Sequence, residues 1–306
     1  MSSHDIASTA TPPPAPGSVH IALTARMHDR AGARRGDEAW LTKAWADPTT
    51  RVVPIAGGRF PVHEDGSVAW RSPGQAGDGL RVFLGIRDGR AHFALLLDAA
   101  PDETWSALRR VGPLLSQVDA GLMVHAVALA EWHAAHRHCP RCGGRLEAEA
   151  AGHVLACTGC GRQQFPRADP AVIMLVTDGD RALLGRQPSW PEGRYSTLAG
   201  FVDPGESLEE AVAREVAEEV GVQVTDVSYF GNQPWPFPSS LMVGFFARAV
   251  TTEIQVDQDE ISDARWFTRE QMRAEAEAGT LLLPGGISIS RSLVEAWFGG
   301  PLPGHW

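Results

Sequence analysis

Apolar runs separated by turn residues dominate the first hundred residues. In residues 81–98, RVFLGIRDGRAHFALLLD, apolar stretches flank Asp88-Gly89, a dipeptide that favours a tight hairpin turn. This pattern predicts a β-rich domain from about residue 19 to residue 118. Residues 1–18, MSSHDIASTATPPPAPGS, have no apolar periodicity and are rich in Pro, Ser, Thr and Ala, which predicts a flexible tail.

A helical pattern follows the β-rich part. Residues 119–137, DAGLMVHAVALAEWHAAHR, contain mostly helix-forming residues and begin with a capping-type Asp. Their apolar positions fall on one helical stripe, formed by Leu122, Ala126, Leu129 and Trp132. We therefore predict a linking helix.

A second sheet is predicted after residue 170. AVIMLV is typical of a buried strand, TDGD of a turn, and RALLGR of the returning strand. Further strands are expected at about 223–231 and 241–250, and ISISRSLVEAWF near the C-terminus is expected to form one closing helix.

An acidic helix is predicted between these strands, over residues 207–220. Its apolar positions Leu208, Val212 and Val216 repeat every four residues, and Gly221 provides a stop. Glu215 and Glu219 lie one turn apart on such a helix, with Glu218 beside them. These like charges repel one another, and hard divalent cations such as Mg²⁺ or Mn²⁺ prefer carboxylate oxygens. The helix therefore predicts a metal site.

The alternative, a solvated acidic surface helix, is disfavoured because no Lys occurs between residues 200 and 222. Arg214 cannot bind a metal, but its fork can hold one of the carboxylates in a fixed orientation. The Asp203-Pro204-Gly205 turn can present the backbone of Ala199 and Gly200 to the metal.

Four cysteines form two Cys-x-x-Cys pairs separated by fourteen residues. This is the spacing of a zinc ribbon, in which four thiolates leave no open position on a structural Zn²⁺. Neighbouring His136 and His138 are interpreted as polar residues at a helix end. The predicted zinc ligands are Cys139, Cys142, Cys157 and Cys160.

The formal charge of -10 provides no field that would attract long polyanions. No apolar run is long enough to span a bilayer, and the N-terminus shows no export-signal pattern. We expect a cytoplasmic enzyme without a membrane partner.

The segment GFVDPGESLEEAVAREVAEEVGV resembles the Nudix signature. That resemblance implies metal-dependent pyrophosphate cleavage and supports the Ala199 carbonyl as a metal ligand. The matching positions are Gly200, Glu206, Arg214, Glu215, Val216, Glu218, Glu219, Gly221 and Val222.

A second segment resembles the Ser-Gln-Pro-Trp-Pro-Phe-Pro-x-Ser array of NADH pyrophosphatases (NAD⁺ diphosphatases), which also carry a zinc ribbon and a β-rich N-terminal domain. Its prolines fix an extended backbone that can present Trp235 and Phe237 for stacking on nicotinamide or adenine. Gln233 and Ser240 offer hydrogen-bonding groups to the substrate. The predicted segment comprises Gln233, Pro234, Trp235, Pro236, Phe237, Pro238, Ser239 and Ser240.

The same resemblance implies further roles. Phe201 and Phe230 should flank the nicotinamide ring, Glu260 should be a further metal ligand, and Ser290 should line the nucleotide pocket. Asn232 replaces the usual Ser of the array. Phe165 stands where a substrate-contacting Tyr is common, which removes one hydrogen bond worth on the order of 1 kcal/mol.

The resemblance implies an α+β fold, a Nudix α/β/α sandwich preceded by a zinc ribbon and a β-rich, Nudix-like N-terminal domain. The predicted boundaries are 1–18 for the tail, 19–135 for the N-terminal domain with its linking helix, 136–167 for the zinc ribbon and 168–306 for the Nudix hydrolase domain. A homodimer is implied, in which the proline-rich loop helps to complete the neighbouring site.

The leading hypothesis is hydrolysis of NADH or NAD⁺ to nicotinamide mononucleotide and AMP, with removal of NAD caps from RNA as a second activity. Glu219 is the predicted proton acceptor, acting with Glu215, Glu218 and Arg214. One alternative is a broader pyrophosphatase for ADP-ribose and similar compounds. A non-catalytic, nucleic-acid-binding zinc-ribbon protein is the alternative from another class, and intact glutamates and negative charge argue against it.

Overall fold

The structure is a computed structural model that describes residues 21–24, 28–100 and 105–304. The predicted tail at residues 1–18 lies outside these residues. The chain forms two compact units, which are described separately below. Within the described residues, the N-terminal unit comprises 22–24, 28–100, 105–169 and Pro234–Leu241, and the C-terminal unit comprises Ile21, 170–233 and 242–304. Among the described residues, no helix is long and apolar enough to cross a membrane.

The N-terminal unit contains the predicted β-rich part. A three-stranded sheet has the order β1-β4-β3, with β1 parallel to β4, and β2 pairs with β5. Its elements are α1 (Glu38–Ala46), β1 (Arg51–Ile55), β2 (Arg59–Pro61), α2 (Pro73–Ala76), β3 (Leu80–Arg87), β4 (Arg90–Leu96), β5 (Trp105–Ala107) and α3 (Leu108–Val111).

The predicted hairpin turn is confirmed. β3 and β4 are antiparallel and meet at Asp88 and Gly89, whose φ angles are 49° and 72°. Two successive positive φ angles are typical of the tight turns whose twist matches that of the flanking strands. The Asp-Gly pair therefore sets the register of the hairpin.

The linking helix and the ribbon complete this unit. Helix α4 (Gln117–Ala135) begins after Ser116, whose hydroxyl accepts the backbone N–H of Asp119. The predicted cap at Asp119 is therefore wrong by one turn. The ribbon strands are β6 (Leu146–Glu149), β7 (Val154–Cys157) and β8 (Gln163–Gln164), in the order β6-β7-β8.

The C-terminal unit is built on a six-stranded sheet. Its path is β12-β13-β9-β10-β14, and β11 pairs with β9. The strands are β9 (Asp169–Thr177), β10 (Arg181–Arg186), β11 (Leu198–Phe201), β12 (Val224–Trp235), β13 (Ser240–Ala249) and β14 (Asp263–Thr268). The helices are α5 (Leu208–Val220), α6 (Arg269–Glu277) and α7 (Ile289–Phe298).

One face of this sheet packs against α6 and α7. Ile173 and Leu175 of β9 and Leu184 of β10 share a buried cluster with Met272 of α6 and Leu293 of α7. Alternate residues of a strand point to opposite faces, so Val172 and Met174, both fully buried, belong to the other face. This mixed α/β arrangement agrees with the predicted α+β fold.

Candidate active site

The acidic helix α5 has clear start and stop signals. Ser207 and Glu210 form a capping box, in which each side chain accepts the backbone N–H of the other residue. Gly221 ends the helix in the left-handed conformation, with φ 71°. The apolar stripe is buried at Ala211, Val212, Val216 and Val220. The helix is thereby fixed in rotation, which determines where its glutamates point.

Glu219 is buried with an unsatisfied oxygen. Glu219 is only 5% exposed, and its Oε2 has no hydrogen-bond partner. Burial raises the pKa of this carboxyl to about 8, with further contributions from Glu215 and Glu260, while the Ala199 backbone amide opposes the rise. A buried carboxylate oxygen without a hydrogen-bond partner is costly. A bound cation would satisfy it, so this residue fits a metal site.

Glu215 lies against the backbone of β11. It is 8% exposed, and a Cβ atom placed on Gly200 would stand 1.9 Å from its Cδ. Only glycine leaves room for the carboxyl group there. Burial raises the pKa of Glu215, and Arg214 partly counters that effect. Because Gly200 has no side chain, the Glu215 carboxyl group can lie against the backbone of β11 at this position.

Arg214 binds three glutamates. Nε and Nη2 donate to the two carboxylate oxygens of Glu206 at 2.8 and 2.9 Å, while Nη1 donates to Glu215 at 2.8 Å and to Glu218 at 2.9 Å. Nη2 also donates to the carbonyl oxygen of Phe201 at 2.9 Å. Through these contacts the guanidinium orients Glu215 and Glu218, as the sequence led us to expect of its planar fork.

Glu260 follows a turn that is hydrogen-bonded to α5. The Asp257 N–H donates to the Glu219 carbonyl oxygen at 3.1 Å, and the Glu260 N–H donates to the Asp257 carbonyl oxygen at 3.1 Å. The charge of Glu260 contributes to the raised pKa values of Glu215 and Glu219. The charges of these three carboxylates therefore affect one another, but among the described residues the structure does not bring three carboxylate oxygens within 4.8 Å of one another.

The raised pKa of Glu219 predicts how stability depends on pH. Without Mg²⁺ or Mn²⁺, this carboxyl binds more protons in the folded than in the unfolded state between pH 4.5 and about 8, so its contribution to the free energy of unfolding falls as pH rises through this window. Glu219→Gln should remove part of that fall. Urea unfolding of the zinc-loaded parent and variant across the window tests this, and parallel pH profiles would contradict it.

Gln233 differs from its predicted role. The residue is fully buried, its Nε2 donates to the Ile287 carbonyl oxygen at 2.8 Å, and its Oε1 accepts the Ile289 N–H at 2.9 Å. We predicted that this amide would bind substrate. The structure instead uses it to join the end of β12 to the start of α7, because a buried amide must find partners inside the fold.

Ser290 is likewise buried, at 1% exposure, although we predicted that it would line the nucleotide pocket. Its hydroxyl lies 2.9 Å from the hydroxyls of both Ser196 and Thr197 and accepts the Thr197 N–H at 3.2 Å. These contacts fix the segment that leads into β11. Ser290 therefore acts on Ala199 and Gly200 through the backbone that carries them.

The two predicted nicotinamide neighbours differ in exposure. Phe201, at the end of β11, is 61% exposed, whereas Phe230 is 8% exposed and packs edge-on against Phe246 with ring centroids 5.4 Å apart. Asn232, which departs from the family pattern, donates to the Tyr229 hydroxyl at 2.7 Å. Of the two rings, the exposed one of Phe201 is accessible for stacking, whereas that of Phe230 is buried.

The proline-rich segment Pro234–Leu241 belongs to the N-terminal unit. Trp235 and Phe237 are packed edge to face at 5.0 Å, and the Arg109 guanidinium lies 5.2 and 4.9 Å from their ring centroids. Ser239 donates to the Asp169 carboxylate at 2.7 Å. Arg109 was missed by the sequence analysis, since no local pattern connects it with a segment more than a hundred residues away.

The remaining predicted contacts lie in the same unit. Phe165 is 61% exposed, so the ring that replaces the common Tyr is accessible. Ser240 begins β13 and is half-buried. The predicted extended backbone is wrong beyond Trp235: Pro234 lies in β12, whereas Pro236 and Pro238 lie in the turn of residues 236–239 that joins β12 to β13. Substrate contacts at these positions stay predictions.

The four cysteines converge on one point. Their sulfurs lie within 4.8 Å of one another, with Cys139 and Cys160 3.8 Å apart and Cys142 and Cys157 3.4 Å apart. Sulfurs bound tetrahedrally to zinc at about 2.3 Å are separated by about 3.8 Å. Within the described part of the chain, no other set of three or more His, Cys, Asp or Glu ligand atoms converges this closely.

The two knuckles are built alike. Gly143 donates to the Cys139 carbonyl oxygen and Gly161 to the Cys157 carbonyl oxygen, each at 2.9 Å and each with a positive φ. Backbone amides of Cys160 and Gly159 lower the pKa of Cys157 to about 6, whereas the neighbouring sulfurs outweigh the Gly144 amide and raise the pKa of Cys142 to about 12. A thiolate is the form that binds zinc, so the cysteine quartet fits a structural Zn²⁺.

Zinc removal should disrupt the ribbon. Cys157→Ser is expected to lower zinc content to near zero and to lower the melting temperature, because structural zinc supplies much of the folding free energy of such small modules. Atomic absorption and thermal unfolding measure both effects. Glu219→Gln serves as the control, which keeps its zinc. Loss of zinc with an unchanged melting temperature would contradict a structural role.

The fold and its acidic helix are those of a Nudix hydrolase, and comparison with known proteins agrees with this class. The family model of the NUDIX domain matches residues 167–282. A model described as the NADH pyrophosphatase-like rudimentary NUDIX domain matches residues 49–132, and that of the NADH pyrophosphatase zinc ribbon domain matches residues 134–165.

Similar proteins extend over most of the chain. "NAD-capped RNA hydrolase NudC" from Mycobacterium bovis (strain BCG / Pasteur 1173P2) is 41% identical over 293 residues, which cover 88% of this chain and 92% of that protein. "NAD-capped RNA hydrolase NUDT12" from Homo sapiens is 43% identical over 196 residues, 60% of this chain and 42% of that protein. The chain therefore belongs to the zinc-ribbon-containing NADH pyrophosphatase family of Nudix hydrolases.

Proposed function

We propose that this chain hydrolyses the pyrophosphate bond of NADH and NAD⁺, giving nicotinamide mononucleotide and AMP, with Mg²⁺ or Mn²⁺ as the catalytic cation. The observation that carries the proposal is the buried Glu219 carboxylate, which is hydrogen-bonded to the Ala199 backbone amide while its Oε2 has no hydrogen-bond partner. A group of this kind binds cations and accepts protons, which are the two requirements of metal-assisted hydrolysis.

The reaction adds one water across the P–O–P bridge. Divalent cations held by Glu215, Glu218, Glu219 and Glu260 would neutralise the pyrophosphate and lower the pKa of the attacking water. Glu219 accepts the proton as the water oxygen bonds to one phosphorus. The bridging oxygen leaves with the other phosphorus, so that each product carries one phosphate.

Arg214 positions the carboxylates during this reaction. Its contacts with Glu206, Glu215 and Glu218 are all charge-assisted, and such hydrogen bonds are the strongest that side chains make. The guanidinium stays charged throughout because these carboxylates raise its pKa. Arg214 therefore holds metal ligands in place and is not itself a proton donor.

Substrate choice is proposed to depend on flat aromatic surfaces. Trp235, Phe237 and Phe201 offer rings for stacking on nicotinamide or adenine. We further propose a homodimer in which the segment Pro234–Leu241 of one chain helps to complete the site of the other, as the family resemblance implies. Analytical ultracentrifugation tests the dimer, and a single monomeric species at working concentration would exclude it.

Removal of NAD caps from RNA is proposed as a second activity of the same site. The relatives named NAD-capped RNA hydrolases support it, while the charge of -10 argues against a strong hold on the RNA body. Turnover of free NAD⁺ and of a short NAD-capped oligonucleotide should therefore be compared at two salt concentrations. Cleavage of NAD⁺ with none of the capped oligonucleotide would exclude decapping.

Arg109 should affect the Michaelis constant more than turnover. Its guanidinium faces the rings of Trp235 and Phe237, and a cation over an aromatic ring contributes about 0.5–2 kcal/mol. Arg109→Gln is expected to raise the KM for NADH by about 3- to 10-fold with little change in kcat, because it loosens the stacking surface and leaves the glutamates intact.

Arg110→Gln is the matched control for this test, since Arg110 is the exposed neighbour on α3. The control should behave like the parent chain. If Arg109→Gln lowered kcat and left KM unchanged, the aromatic pair would have no role in binding the substrate.

A further inference from the structure

The chain that leads into β11 changes its neighbouring strand at Thr197. The backbone of Ser196 exchanges hydrogen bonds with Gly185 of β10 at 2.9 and 3.0 Å, whereas Leu198 is paired with Met174 of β9. Thr197 lies between these two pairings and is buried. A buried backbone N–H needs an acceptor. At Thr197 that acceptor comes from another element of the C-terminal unit.

The acceptor is the hydroxyl of Ser290, in the first turn of α7. It accepts the Thr197 N–H at 3.2 Å and the Thr197 hydroxyl at 2.9 Å. A serine hydroxyl has two acceptor lone pairs and one proton, so its proton is left for the Ser196 hydroxyl, which lies 2.9 Å away. All the hydrogen-bonding capacity of this buried side chain therefore holds the segment that enters β11.

Gln233 holds the start of α7 from the end of β12. Its Oε1 accepts the Ile289 N–H at 2.9 Å, and its Nε2 donates to the Ile287 carbonyl oxygen at 2.8 Å. The first N–H groups of a helix have no acceptor within the helix, and Gln233 supplies one here. Ser288 supplies another, since its hydroxyl accepts the Ser290 N–H at 3.2 Å. Residues 287–290 are thus joined to β12 and to the segment that enters β11.

These contacts determine where part of the metal site lies. Ala199, whose carbonyl is a predicted metal ligand, is two residues beyond Thr197, and the Glu215 carboxyl group lies against the backbone of the same strand. A displacement at Thr197 would therefore move both groups. Gln233 and Ser290 are buried and their polar atoms have partners within the unit, so they act on the site through the backbone.

We propose that Gln233 and Ser290 are positioning residues for the catalytic cation, which hold the Ala199 carbonyl in place through residues 287–290 and Thr197. This role rests on the proposed function, since it requires bound Mg²⁺ or Mn²⁺. It differs from the substrate contacts that the sequence predicted for both side chains. Loss of groups that orient metal ligands lowers metal affinity by about 10–100-fold.

Binding of Mn²⁺ to the full zinc-loaded chain without substrate tests the proposal, with free Mn²⁺ measured by electron paramagnetic resonance. Ser290→Ala and Gln233→Met should each raise the Kd for Mn²⁺ by about 10-fold or more. Thr197→Ser keeps the hydroxyl and should bind as the parent does. Thr197→Val removes only one hydrogen bond and should weaken Mn²⁺ binding even if circular dichroism shows that the other two variants do not fold.

Thr50→Val is the control for lost stability. Thr50 is buried in the N-terminal unit, and its hydroxyl donates to the Ala44 carbonyl oxygen at 2.6 Å. This variant should lower the melting temperature and leave the Kd for Mn²⁺ unchanged. An equal loss of Mn²⁺ affinity in Thr50→Val would attribute the effect to general destabilisation and would overturn the proposal.

The Michaelis constant separates positioning from substrate binding. If folded Ser290→Ala and Gln233→Met bound Mn²⁺ as the parent does but had a raised KM for NADH, both side chains would act on the substrate, and the proposal would be wrong. Absence of Mn²⁺ binding by the parent would also overturn it. If the variants weakened Mn²⁺ binding while the parent failed to hydrolyse NADH, the positioning role would stand and the proposed function would fail.

Discussion

Glu219→Gln is expected to lower the turnover of NADH by about 10²–10⁴-fold at saturating Mg²⁺, the range that loss of a general acid–base group produces. The amide is nearly the same size as the carboxyl group, so packing around this buried side chain is preserved. It cannot accept the proton of the attacking water, and it binds a divalent cation much more weakly. The product-formation rate at saturating substrate measures the effect.

Glu209→Gln controls for the change of charge, since Glu209 is exposed in the first turn of the same helix. Its turnover should remain that of the parent. Near-parental turnover of Glu219→Gln under the same conditions would show that the proton acceptor is another residue.

Gly200→Ala should lower kcat/KM for NADH by about 10²-fold or more, the loss that a displacement of about 1 Å at a reacting centre can cause. The added methyl group would overlap the Glu215 carboxyl group. Either the Glu215 side chain or strand β11 must then move. Glu215 is itself a predicted metal ligand, and β11 carries another, the Ala199 carbonyl. Overpacking of this kind also destabilises by about 1–3 kcal/mol, so kinetics and thermal unfolding should be measured together.

Gly300→Ala is the control, because a Cβ atom at Gly300 meets nothing within 4 Å. The proposal expects the loss of activity in Gly200→Ala to exceed what unfolding explains, and the Mg²⁺ concentration for half-maximal activity to rise. A fully active Gly200→Ala would mean that Glu215 is not needed in its observed position.

Local sequence signals were sufficient for the elements around the acidic helix. The strand, turn and strand of residues 171–186 and the stop at Gly221 depend on nearby residues, and β9, β10 and α5 appear where they were expected. The same holds for the cysteine quartet, whose spacing along the chain determines its geometry. These features need no information about distant parts of the fold.

Long-range packing could not be predicted in this way. Gln233 was predicted to offer hydrogen bonds to the substrate, yet its partners Ile287 and Ile289 are 54 and 56 residues away along the chain. Strand β12 continues to Trp235, beyond the predicted end at 231. It lies at the edge of the sheet, where a proline such as Pro234 is tolerated because its missing N–H breaks no hydrogen bond between central strands.

Burial on all sides also weakens sequence patterns. Helix α4 buries residues around its whole circumference, including His125, so the apolar stripe identified only part of its contact surface. The ring contacts of His125 with His28 and His153 could not be predicted, since these residues are distant in sequence. Their proximity depends entirely on the tertiary fold.

The most direct test of the proposed function is chromatographic analysis of products from NADH, NAD⁺ and ADP-ribose, each incubated with the purified chain and Mg²⁺ or Mn²⁺. The proposal predicts stoichiometric AMP and nicotinamide mononucleotide, in its reduced form from NADH, formed faster from the nicotinamide dinucleotides than AMP from ADP-ribose. Clearly faster cleavage of ADP-ribose, or no hydrolysis of either nicotinamide dinucleotide with either metal, would contradict it.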